Sequence, residues 1–100
     1  MTGTNVHGYE LVYIVQPQAT EDAILGFNQR LTDLIASQNG EVTNTEMWGL
    51  RTLAYPITKF FEGHYVLLRF QMDPAGSAEL DRVLGLSEDI IRYLIVRTDE

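Results

Sequence analysis

The chain has no cysteine, which excludes disulfides, thiolate metal sites and cysteine nucleophiles and agrees with a cytosolic protein. Basic residues are also scarce. Seven Lys and Arg stand against fourteen Asp and Glu, a net charge of −7. Binding nucleic acid over the whole surface is excluded by that balance, because phosphate contact needs clustered Lys and Arg; a local basic patch is not. No apolar run approaches the roughly 20 residues that cross a bilayer. The opening MTGTNVHG lacks the charged-then-apolar order of a secretory signal. The two histidines, His7 and His64, lie in different segments with no carboxylate at ligand spacing, so no metal site is expected. None of Ser37, Ser77 and Ser87 sits in a nucleophile-elbow context, and EGHY carries one glycine, not a phosphate-cradling loop. Glu21-Asp22 and Glu88-Asp89 are adjacent pairs whose side chains diverge, and they read as solvated cap residues.

What is present is enough apolar matter for one small core: 100 residues, 45% hydrophobic. YELVYIVQP, Tyr9 to Pro17, is aromatic and β-branched and ends at a proline, the pattern of a strand. A helix follows, with Thr20 as N-cap, Glu21 and Asp22 in the first turn, and Asn39-Gly40 as the stop. Ile24, Phe27, Leu31, Leu34 and Ile35 recur at helical spacing along it. Glu41 to Ile57 reads as a long strand bulged near Gly49, and Pro56 assigns that strand to a sheet edge. Phe60 to Gly63 reads as a hairpin connection and His64 to Met72 as the next strand. Asp73-Pro74 opens a short helix through Val83 that stops at Gly85, and Ile90 to Arg97 is the last strand. Strand, helix, strand, strand, helix, strand predicts an α+β ferredoxin-like fold: a four-stranded antiparallel sheet with both helices on one face. The expected organisation is an N-terminal extension over residues 1–8, one domain over 9–97 and a short tail over 98–100.

Alternation along the strands divides the sheet into two faces. Tyr9, Leu11, Tyr13 and Val15 oppose Glu10, Val12, Ile14 and Gln16; Val66, Leu68, Phe70 and Met72 oppose Tyr65, Leu67, Arg69 and Gln71. Tyr93 and Ile95 likewise oppose Arg92, Leu94 and Val96. Two helices cover one face only. The other retains Val12, Ile14, Leu67, Leu94 and Val96, with Arg69 and Arg92 among them, a contiguous apolar set that marks an interaction surface. An RNA-recognition motif shares this strand order, but its third-strand signature fails here. EGHYVLLRF begins with Glu62 and places Leu67 and Arg69 at the base-stacking positions.

WGLRTLAYPI, followed by a short turn and EGHYVLLRF, resembles the bacterial small-subunit ribosomal protein six family. The opening YELVYIVQP, the QNGEV after the first helix and the closing LGLSEDIIRYLIVR resemble it in the same order, so the likeness covers roughly residues 9 to 97. The resemblance implies a ferredoxin-like fold, no catalysis and no cofactor. It also implies pairing with small-subunit ribosomal protein eighteen, a basic partner, and joint binding to the central domain of small-subunit ribosomal RNA during assembly. On that reading Leu53 and Tyr55 help close the core, Pro56 blunts the ladder, and Arg51 and Lys59 meet phosphate or partner carboxylates. Arg92 and Arg97 match family positions, and Arg69 joins the RNA- or partner-binding set. Thr52 stands where a second basic residue is common, and His7 and Gly8 replace basic residues ahead of the first strand. The rival readings are a small dimeric enzyme using His64 or Tyr65 as acid or base, and a ligand-sensing domain with a pocket on the open face. The enzyme needs a titratable group inside an apolar concavity, and the open face offers only Arg69 and Arg92, neither a good proton-transfer residue.

Overall fold

A computed structural model describes residues 6–57 and 59–98. Four strands and two helices alternate as β1 (His7–Val15), α1 (Glu21–Ser37), β2 (Glu41–Ile57), β3 (Phe60–Met72), α2 (Ser77–Leu86) and β4 (Ile90–Arg97). A 3-10 turn, Pro74–Gly76, precedes α2. The strands form one antiparallel sheet in the order β2-β3-β1-β4, so β2 and β4 are its edges. Helix α1 lies against β2 and β3, and α2 against β4.

The core forms where the helix stripes meet the odd-numbered residues of β1 and the even-numbered residues of β3. Leu11, Tyr13, Val66, Leu68, Phe70 and Met72 come from the sheet, and Leu31, Ile35, Leu80 and Leu84 from the helices. Tyr9 stacks on Phe70, and Phe27 of α1 meets Tyr13 edge-on. One polar pair is buried with them: the Tyr13 hydroxyl donates to Asn28 Oδ1 at 2.6 Å. The hydroxyl and the amide oxygen satisfy each other, which offsets the cost of burying those two atoms. Burial pushes the Tyr13 pKa well above its usual value.

Helix α1 starts as its sequence dictates. Thr20 is extended, and its hydroxyl accepts the Ala23 N–H at 3.1 Å. It ends through Gln38 into Asn39, the one described non-glycine residue with positive φ, at 62°. Helix α2 differs from expectation. Asp73 caps only the 3-10 turn, and the α-helix proper begins at Ser77 and passes through Gly85 to Leu86. Burial of Leu84 holds that last turn against the sheet, and the stop is Ser87, which is extended.

The second correction concerns the hairpin. Phe60 to Gly63 is strand, not connection: Ile57 pairs with Phe60, Thr52 with Glu62 and Arg51 with Gly63. Gly63 is a point of close approach and not a turn, since a Cβ there would overlap Ile14 Cγ2. Pairing of β1 with β3 ends at His64, so residues 51–57 and 59–63 project beyond β1 as a two-stranded arm.

Candidate interaction surface

The surface left uncovered by the helices takes its shape from β2. Its pairing with β3 slips three times, between Val42 and Asn44, between Met47 and Gly49, and between Thr52 and Ile57. Gly49 adopts φ 85°, a conformation that suits glycine, and Pro56 lies in the third irregular span. Such slips add local twist. The consequence is visible in one concavity of about 190 Å³, lined by Leu53, Ala54 and Tyr55 of β2, Tyr65 of β3, Ile14 of β1 and Arg92 of β4. Four strands of a flat sheet span about 14 Å. For both edges to line so small a hollow, the arm coils over the open face while Arg92 reaches in from β4.

Along the open face the charges sort by position. At the end where β1 begins, Arg69 Nε donates to Glu10 Oε2 at 2.9 Å, and its Nη1 lies 3.6 Å from Glu46 Oε2. Glu46 also accepts from Asn44 Nδ2 and from Trp48 Nε1, both at 2.9 Å. Chiefly the Trp48 hydrogen bond, then that from Asn44 and the Arg69 charge, hold the Glu46 carboxyl below its ordinary range. That network orients Trp48, whose indole stacks on Tyr65 with centroids 6.2 Å apart, while the Arg51 guanidinium lies 5.4 Å from the indole centroid. At the other end Arg51 and Arg92 have no carboxylate partner among the described residues. The face therefore runs from two acids clamping one arginine to two arginines without an acid.

The expected basic set is thus not one patch. Arg51 and Arg92 share the arginine-rich end, and Arg69 is engaged by two carboxylates of its own chain. Lys59 sits in the turn at the tip of the arm. Arg97 belongs to the opposite face, beside Tyr9, Ser77, Asp81 and Ile95. The expected apolar set also divides. Leu67 and Ile14 are already buried, at 3% and 8% exposure, and Val12 is half-buried. Leu94, at 62%, and Val96 are exposed on the edge strand. Tyr55 does not close the core, because it stands 67% exposed on the arm, whereas Leu53 is buried at the open face and not under the helices. Trp48, absent from the expected site residues, stands between Tyr65 and Arg51 at the arginine-rich end of the face. Its signal was the Glu46-x-Trp48 spacing beside a bulge glycine.

Of the two acid or base candidates of the enzyme reading, Tyr65 lines the open-face hollow and His64 does not. The His64 ring faces the helix side, where Nε2–H donates to the Pro17 carbonyl at 3.1 Å. Among the described residues no three His, Asp or Glu converge to hold a metal, and no helix is long and apolar enough to cross a membrane.

A four-stranded antiparallel sheet in the order β2-β3-β1-β4, with two helices packed on one face, defines an α+β, ferredoxin-like domain. The chain belongs to the ribosomal protein S6 family, whose model matches residues 8–97. It is 43% identical over 95 residues to small ribosomal subunit protein bS6 of Caldanaerobacter subterraneus, covering 95% of this chain and 100% of that one. The bS6 of Geotalea daltonii is 46% identical over 92 residues, which span 92% of this chain and 72% of the relative. Among solved structures, 30S ribosomal protein S6 from Thermotoga maritima superposes with a TM-score of 0.87 at 28% identity, covering 94% of this chain and 89% of that one. The family is a structural, non-enzymatic component of the small ribosomal subunit.

Proposed function

We propose that the chain binds the central domain of small-subunit ribosomal RNA as a pair with small-subunit ribosomal protein eighteen, and that the open sheet face is where the two meet it. The supporting observation is the polarity of that face. An acidic chain of net charge −7 repels RNA at long range. Its open face nevertheless keeps two arginines without acid partners among the described residues at one end, and exposed Leu94 and Val96 along the β4 edge. Apolar burial and a free strand edge suit a protein. A basic protein docked beside Glu10 and Glu46 would also reverse the local field that keeps RNA away.

The test is binding of a central-domain RNA fragment by this chain alone, by ribosomal protein eighteen alone and by both, at physiological salt. Negligible binding by the lone chain and firm binding by the pair is the expected result. Equal affinity for the lone chain and the pair would refute the proposal. Arg51→Gln combined with Arg92→Gln should flatten the salt dependence of the pair by about two units of log–log slope, roughly one per lost phosphate contact.

A further inference from the structure

We propose that the open face is partitioned: the hollow under the β2–β3 arm, between Tyr55, Tyr65 and Arg92, receives one unstacked nucleotide of single-stranded RNA, and the protein partner takes the rest. This rests on the function proposed above and assigns its two partners to separate ground. The size of the hollow is the first argument. At about 190 Å³ it falls short of the roughly 300–1,000 Å³ that enclose a whole small ligand. It holds one ring system. Its chemistry is the second. Tyr55 and Tyr65 contribute aromatic rings to its lining, Ile14 and Leu53 apolar surface, and Arg92 a guanidinium. Bases splayed from a strand stack on such rings, and their phosphates meet arginine.

The third argument is charge complementarity, which separates RNA from protein as the occupant. A basic protein partner is repelled by Arg51 and Arg92 and drawn to Glu10 and Glu46 at the far end. An RNA phosphate has the reverse preference. Trp48 extends the same platform, because it stacks on Tyr65 from outside the hollow and carries Arg51 against its indole. Tyr55, 67% exposed on the projecting arm, lies outside the core and is available to a ligand in the hollow it lines.

The experiment uses the full chain paired with ribosomal protein eighteen and a central-domain RNA fragment. Tyr55→Ala and Arg92→Gln are each expected to weaken RNA binding by the pair about tenfold, in line with the loss of one base stack or one phosphate contact. Affinity for ribosomal protein eighteen should stay within about twofold, and the midpoint of thermal unfolding unchanged. Leu94→Asp should do the opposite, weakening the protein step first. Ultraviolet crosslinking should place RNA on the tryptic peptides of residues 52–59 or 60–69. If Tyr55→Ala and Arg92→Gln weaken the protein step instead, protein fills the hollow and the partition is wrong. If both leave RNA affinity within about twofold while the unsubstituted pair binds, the hollow alone is refuted. If the unsubstituted pair does not bind RNA, the proposed function falls and the partition with it.

Discussion

Tyr13 and Asn28 form the only fully internal polar side-chain pair seen among the described residues, joining β1 to α1 across 15 positions. Tyr13→Phe strands the Asn28 oxygen in the core and is expected to cost about 1–2 kcal/mol in chemical denaturation. It also removes a pH response. A folded-state pKa raised above the unfolded value of about 10 means that the native chain holds the proton longer than the unfolded chain. Stability should be constant below that pH as far as Tyr13 is concerned, then fall as pH rises toward the folded value. Urea denaturation between about pH 9 and 11 should show the decline in the native chain and a shallower one in Tyr13→Phe. Glu46 titrates in the opposite sense. Its depressed pKa keeps the Trp48 hydrogen bond in place until the solution is more acidic than ordinary carboxylate titration requires. Emission of Trp48, the single tryptophan, should report that protonation, and Glu46→Gln should abolish the transition.

At the scale of elements, β2 does most to separate this domain from a generic sheet. Seventeen residues long, it would present a flat, aggregation-prone edge were it regular. Three register slips and Pro56 interrupt it, and the twist they add turns the arm over the open face. Gly49→Ala should therefore act on geometry as well as stability. A side chain there has space but the wrong backbone angle, so a loss of about 1 kcal/mol is expected. The Trp48–Tyr65 stack should loosen too, seen as a shift in Trp48 emission at temperatures where the fold is intact. Thr20→Ala is the contrasting substitution. It removes the cap of α1 at a cost of about 1 kcal/mol and should leave that emission unchanged.

For the whole molecule, strand order decides which open-face residues are free to meet a partner. β3 and β1 are central, so Leu67 and Ile14 are flanked on both sides and nearly buried without help; β4 is an edge, and Leu94 stays bare. Leu67→Asp should consequently unfold the chain by several kcal/mol, as an unpaired buried carboxylate does. Leu94→Asp should leave folding within about 0.5 kcal/mol while weakening the protein–protein step. Calorimetry of each variant, alone and with ribosomal protein eighteen, separates the two effects. A Leu94→Asp chain that pairs normally would remove the β4 edge from the interface.

The division into a core face and an open face was legible in the sequence because alternation is local: each strand carries its own period, and the parity of Tyr13, Leu68 or Tyr93 needs no knowledge of the rest. The same parity already set Arg97 with Tyr93 and Ile95, away from Arg92. The cap at Thr20 and the bulge at Gly49 were readable for the same reason, each depending on a few adjacent residues. Family resemblance likewise lies in contiguous segments such as LAYPI. What the sequence could not decide depends on neighbours distant along the chain. Register sets Arg69 opposite Glu10 and cancels its charge, strand order buries Leu67 and exposes Leu94, and the coil of the arm brings Tyr55 within reach of Arg92. Those are contacts across the sheet, and only closure of all four strands creates them.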